Sequence, residues 1–169
     1  MAATGTPGLY TPEQRKRRDA TVWTLVQAVL APLQFGVFLI SLGWVLYSLN
    51  TGLATDWALG SVVLKTLLLY LIMVTGCIWE KVVFGQYLFA PAFFWEDVMS
   101  MLVLALHTAY LVVWAQGQWS PAEQLVLALA AYASYAVNAL QYLRKLRLAR
   151  LGRPAASASG GLATEGAHP

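Results

Sequence analysis

Charge is scarce in this chain. Asp, Glu, Lys and Arg make up 11% of its 169 residues, against about 25% in an ordinary soluble domain. That leaves too little polar surface to cover a water-facing globule. Cysteine is nearly absent: Cys77 stands alone, so the chain can form neither an intrachain disulfide nor a multi-cysteine zinc or iron–sulfur site. It contains no G-x-G-x-x-G, no Walker loop and no nucleophile elbow, which removes the standard dinucleotide, P-loop and serine-hydrolase chemistries. The one Glu-x-x-His, Glu165 with His168, stands alone near the C-terminus and has no second motif with which to build a di-iron site. No internal repeat suggests a duplicated transporter.

Apolar sequence fills the space that charge leaves. Hydrophobic residues reach 59% and the mean hydropathy is +0.59. A crossing helix needs about 20 apolar residues, and four segments qualify: about 22–49, 58–78, 96–114 and 122–143, the last continuing as a basic helix to 151. The sequence therefore predicts an all-α polytopic membrane protein with four transmembrane helices. The tetrabasic run Arg15–Arg18 before Val22 imitates a signal peptide. However, the apolar run is too long and no small-residue cleavage site follows, so it reads as a retained span. Pro32 is expected to kink it.

Residues 1–21 read as a polar tail with nothing to bury, apart from a short helix capped at Thr11 ahead of Pro12 and Glu13. Residues 152–169 are rich in Ala, Ser and Gly and are expected to be disordered. Trp79 to Ala92 is too broken by Glu80, Lys81, Gly85, Gln86 and Pro91 to cross and too apolar for a free loop, so an interfacial or re-entrant connector between helices two and three is expected. Ser120, Pro121 and Glu123 resemble a helix start with a capping box.

The net charge of +3 is not a nucleic-acid signal, because the basic residues cluster beside apolar runs. Four precede span one, Lys81 follows span two, and Arg144, Lys145, Arg147, Arg150 and Arg153 follow span four. The turns near Asn50 and Gln116 have none. By the positive-inside rule both termini and the connector face the cytoplasm.

Three carboxylates crowd the connector: Glu80 beside Trp79 and Lys81, and Glu96 and Asp97 after Phe93, Phe94 and Trp95. Ionisable groups at membrane depth are functional candidates, although Glu96 and Asp97 also suit a helix N-terminus through its dipole. Neighbouring helix residues diverge by about 100°. Glu96 and Asp97 therefore cannot aim at one atom, and an acid/base pair joins Glu80 with one of them. Trp79 and Trp95 flank the carboxylates, where they can stack on a flat ligand. His107, eleven residues past Glu96 on nearly the same face, is suited to ligating a tetrapyrrole magnesium, to moving a proton or to bonding a neighbouring helix. Lys65 has a stem long enough to snorkel to the outer interface. Gln27, Gln34, Ser41 and Ser48 recur every seven residues, and Tyr135, Asn138 and Tyr142 at helical spacing. Both stripes should face the bundle.

The run Thr75-Gly76-Cys77-Ile78-Trp79-Glu80-Lys81-Val82-Val83-Phe84-Gly85, followed by Tyr87-Leu88-Phe89-Ala90-Pro91-Ala92-Phe93-Phe94-Trp95-Glu96-Asp97, resembles the 2-vinyl (3-vinyl) bacteriochlorophyllide hydratase family of phototrophic bacteria. Further similarity lies in Leu9–Arg15, in Trp23–Gln27 with Ala31-Pro32, and in Ser100–Tyr110. The resemblance covers most of residues 9–151. It implies addition of water across the vinyl group of a chlorin or bacteriochlorin to give a 1-hydroxyethyl group, at a bacterial inner or photosynthetic membrane. It also implies a chlorophyllide-type substrate, the lipid bilayer as partner, no nucleic acid, and room for association with other enzymes of bacteriochlorophyll synthesis.

The resemblance itself assigns no catalytic residue. The reaction it implies needs a carboxylic acid held protonated, and an apolar belt favours the uncharged form. Glu80, Glu96 and Asp97 are the expected catalytic residues, and Trp79, Lys81, Phe94, Trp95 and His107 the expected substrate contacts, with Lys81 meeting the substrate carboxylate. No cofactor is expected, since magnesium arrives within the substrate. The alternative is a membrane protein that holds or hands over pigment without changing it.

Overall fold

The computed structural model describes residues 9–151. Among these all the regular structure is helical: α1 (Pro12–Ala20), α2 (Val22–Thr51), α3 (Thr55–Phe84), α4 (Phe94–Gln116) and α5 (Pro121–Leu151). Helices α2 to α5 are long and apolar enough to cross a membrane. The expected disordered tail from Gly152, with Arg153, Glu165 and His168, lies outside the described residues.

Local chemistry sets the helix ends. Thr11 and Gln14 cap α1 reciprocally: the Gln14 N–H donates to Thr11 Oγ1 at 3.2 Å, and the Thr11 N–H donates to Gln14 Oε1 at 2.9 Å. The same device starts α5, where the Ser120 N–H donates to Glu123 Oε2 at 2.8 Å and the Glu123 N–H to Ser120 Oγ at 3.3 Å. Helix α2 passes through Pro32 and stays helical to Thr51.

The four long helices form two hairpins, α2 with α3 and α4 with α5, which meet along a seam of fewer contacts. Small residues let the helices approach: Ala58, Ala128 and Ala131 have no exposed surface. The α2 polar stripe faces inward. Gln27 Nε2 donates to Thr75 Oγ1 at 2.7 Å, and Ser41 Oγ lies 2.6 Å from both Ser61 Oγ and the Tyr132 hydroxyl. Lys65 does not snorkel. It is fully buried, with Nζ 3.7 Å from the centroid of the Tyr135 ring, because α5 presents an aromatic face at that level.

With four antiparallel spans, α1, the end of α3, the start of α4 and the end of α5 gather at one end of the bundle. Leu9 and Tyr10, which composition left with nothing to bury, pack there with Trp23 against Trp79, Val83 and Phe93.

Candidate functional site at the basic end of the bundle

Helix α3 continues past the end of its apolar run. Trp79 and Val83 turn inward onto Phe93, so the helix gains packing partners over the stretch where sequence alone placed a connector. It stops at Gly85, whose φ of +87° is a conformation only glycine adopts readily. The true connector is residues 85–93, and Glu80 and Lys81 belong to the last turns of α3.

Within that short connector Phe89 takes φ +59°, an unusual conformation for a bulky residue. This turn aims two successive amides at two carboxyl groups. The Phe89 N–H donates to Asp97 Oδ2 at 2.7 Å, and the Ala90 N–H donates to Glu80 Oε2 at 3.4 Å. Consecutive Cα atoms lie about 3.8 Å apart, so Glu80 from α3 and Asp97 from α4 share one small pocket. They are 6% and 8% exposed. Among the described residues neither forms an ion pair.

Glu96 is different. One residue earlier on α4, it points to α5 and accepts from Lys145 Nζ at 2.6 Å. The Lys145 ammonium also lies 4.8 Å from the Phe93 ring centroid. Sequence reasoning read Lys145 only as a topology signal, because a contact spanning 49 residues leaves no trace in local spacing.

An aromatic cluster packs at the same end of the bundle. Phe93 lies 5.7 Å from Trp79, 5.8 Å from Phe84 and 5.7 Å from Tyr142 between ring centroids. Tyr10 stacks on Phe84 at 5.8 Å and lies beneath the Arg18 guanidinium. Burial raises the Tyr10 phenol above its usual 10, opposed by Arg18, so the ring remains a neutral member of the cluster. Arg17 Nη1 donates to Val83 O at 3.4 Å, which holds α1 across the end of α3.

The sequence profile of 2-vinyl bacteriochlorophyllide hydratases matches residues 10–148. The chain belongs to this hydratase family. A relative from Cereibacter sphaeroides, named 2-vinyl bacteriochlorophyllide hydratase, is 67% identical over 125 residues, covering 73% of this chain and 77% of the relative. A relative of the same name from Rhodobacter capsulatus is 65% identical over 125 residues, covering 73% and 72%. No solved structure matches the chain.

In this member of the hydratase family, the residues expected to contact substrate separate into four groups. Trp79 is interior: it is buried and its Nε1 donates to Thr24 Oγ1 at 2.9 Å, so its ring faces the cluster and has no open side on which a flat ligand can stack. Phe94 and Trp95 turn outward, 44% and 71% exposed, and pack edge to face on each other. Lys81 is exposed and donates to Gly85 O at 2.8 Å, with Tyr87 beneath it. His107 is remote from all of these. It lies ten residues beyond Asp97 on α4, about 15 Å along the axis at about 1.5 Å per residue, and it is fully buried. Its ring lies 5.9 Å from that of Tyr132 and offers no open face to a macrocycle.

Among the described residues no cluster of three or more His, Cys, Asp or Glu side chains could hold a metal ion. A cavity of about 320 Å³ at the opposite end is lined by Ser48, Leu49, Gly52, Thr55, Ser120, Pro121, Ala122 and Leu125. That lining has no acid or base.

Proposed function

We propose that this chain adds water across the C3 vinyl group of a chlorophyllide or bacteriochlorophyllide to give a 1-hydroxyethyl group, with Glu80 and Asp97 as the acid/base pair. Family membership makes the chain a hydro-lyase of bacteriochlorophyll synthesis. The observation that carries the residue assignment is the convergence of Glu80 and Asp97, neither in an ion pair among the described residues, on the successive amides of Phe89 and Ala90. Glu96 is engaged by Lys145 and acts as an anchor between α4 and α5.

The chemistry follows from what each group can do. One carboxyl group, in its protonated form, gives its proton to the terminal vinyl carbon. The electron pair of the double bond forms the new C–H bond, and positive charge develops on the carbon next to the ring, where the macrocycle delocalises it. A water oxygen bonds to that carbon. The second carboxyl group, ionised, steadies the cation and accepts the proton that the water loses. Atoms and charge balance without an oxidant or reductant. The reaction requires no cofactor, and magnesium travels within the substrate.

The flat apolar ring partitions into lipid and approaches from the face where Phe94 and Trp95 are exposed. Its carboxylate stays at the surface with Lys81 and the other cations of this end. Arg15, Lys16, Arg17, Arg144 and Lys145 are gathered here, which supports a cytoplasmic location for both termini and the connector. The test is to supply vinyl chlorophyllide to membranes containing the protein. The expected result is a product heavier by one water. Pigment retained on the protein with no such product would overturn the assignment in favour of binding alone.

A further inference from the structure

Several polar atoms inside the bundle are buried without a hydrogen-bond partner among the described residues, and four of them fall on one track: Lys65 Nζ, His107 Nε2, Asn138 Oδ1 and Gln141 Oε1. An unpaired polar atom in an apolar interior is destabilising, because it gives up its bonds to water and gains none in return. Native buried groups therefore find a partner, often an ordered water.

The contacts between α4 and α5 set the level of each atom. His107 lies beside Tyr132, Asn138 Nδ2 donates to Ser100 Oγ at 2.9 Å, and Lys145 pairs with Glu96. In this antiparallel register Gln141, between Asn138 and Lys145 on α5, stands level with Asp97 on α4. Lys65 joins the inner end of the track through Tyr135, one turn from Tyr132. The unpartnered atoms thus run from the middle of the bundle to the carboxylate pocket.

Their chemistry selects the occupant. Lys65 Nζ is a donor. His107 Nδ1 lies 2.8 Å from Val103 O, so that nitrogen carries the hydrogen and Nε2 presents a lone pair. The remaining ends are amide groups. A bare anion would satisfy Lys65 but meet the lone pair of His107, and a metal cation would do the reverse. Only a small neutral group that both donates and accepts suits all four, and water is the smallest.

We propose that these residues hold a file of internal waters that ends on Asp97 and supplies the water consumed in the reaction. The catalytic part rests on the hydratase reading above. A substrate seated from the lipid side, over two buried carboxyl groups bonded to the connector amides, leaves the bundle interior as the route by which water reaches the reacting carbon.

The test has two arms. In the first, infrared difference spectra of the wild-type protein in membranes are recorded in ordinary and ¹⁸O-labelled water. Isotope-sensitive O–H bands of internal water are expected, and they should weaken in Asn138→Leu and Gln141→Leu. No isotope-sensitive band in the wild type would overturn the file. In the second, Gln141→Leu should lower kcat about tenfold, equivalent to about 1.4 kcal/mol of barrier, with the KM for pigment within about twofold. Gln141→Ser, which restores a hydroxyl and leaves room for water, should recover most of the loss. Full kcat in both leucine variants would overturn the supply role. Failure of the hydratase reading is a separate result, the absence of hydrated product from the wild type, and the infrared arm then decides the file alone.

Discussion

Asp97→Asn and Glu96→Gln, at neighbouring positions on α4, should have very different effects. Asparagine has nearly the volume of aspartate, and its Oδ1 can still accept from the Phe89 N–H, so the connector stays closed. Exchanging the carboxyl acceptor for an amide changes the strength of this one bond, a stability loss of at most about 1 kcal/mol. The amide can neither give nor take a proton, and a general acid or base contributes about 10²–10⁴ to the rate. At about 1.36 kcal/mol per decade that is about 3–5 kcal/mol of barrier. Turnover of Asp97→Asn should therefore fall at least about 100-fold.

For Glu96→Gln the geometry argues otherwise. The Gln Oε1 can still accept from Lys145 Nζ, and the lysine side chain, 25% exposed, can keep water around its charge. Turnover should stay within about threefold of wild type. The assay is the initial rate of vinyl hydration in membranes, normalised to folded protein. Equal losses in the two variants, or an Asp97→Asn rate within about threefold of wild type, would refute the division of roles between these carboxylates.

Lys145→Met leaves Glu96 without its partner and should destabilise the protein by about 1–2 kcal/mol, less than a fully buried pair because both groups reach solvent. Thermal denaturation in detergent checks this, and adding Glu96→Gln should recover part of the loss. Gly85→Ala forces a side chain into φ +87° and should cost about 1–2 kcal/mol, read from the same melts, although nothing crowds a Cβ there. A reporter fused after Leu151 should be active only in the cytoplasm, and activity of a periplasm-dependent reporter at that point would reverse the orientation.

Much of the architecture was legible because it follows from one-dimensional signals. Hydropathy marks the four spans, the period of Gln27, Gln34, Ser41 and Ser48 marks the inner face of α2, and Ser120 with Glu123 marks the start of α5. What stayed hidden depends on partners distant in sequence. Spacing says that Glu96 and Asp97 diverge, but only the arrival of Lys145 from α5 and of the Phe89 and Ala90 amides decides which of them joins Glu80. Hydropathy ends span two near Ile78, whereas the inward packing of Trp79 and Val83 on Phe93 carries the helix to Phe84. Trp79 and Trp95 looked equivalent as flanking aromatics, yet helix phase sends one inside to Thr24 and the other to the outer face. Lys65 had an apolar stem long enough to reach the interface, and Tyr135, seventy residues later, gives it an inward partner instead.

The central claim, proton delivery to the vinyl group by Glu80 and Asp97 followed by capture of water, is tested most directly by isotope labelling. Wild type and the double variant Glu80→Gln/Asp97→Asn are given vinyl chlorophyllide in D₂O, and the product is analysed by mass and by proton NMR of its new methyl group. The account predicts a wild-type product with one carbon-bound deuterium in that methyl group and a hydroxyl on the carbon next to the ring, and no product from the double variant although it still binds the pigment. Undiminished product from the double variant, or a wild-type product without carbon-bound deuterium, would contradict it.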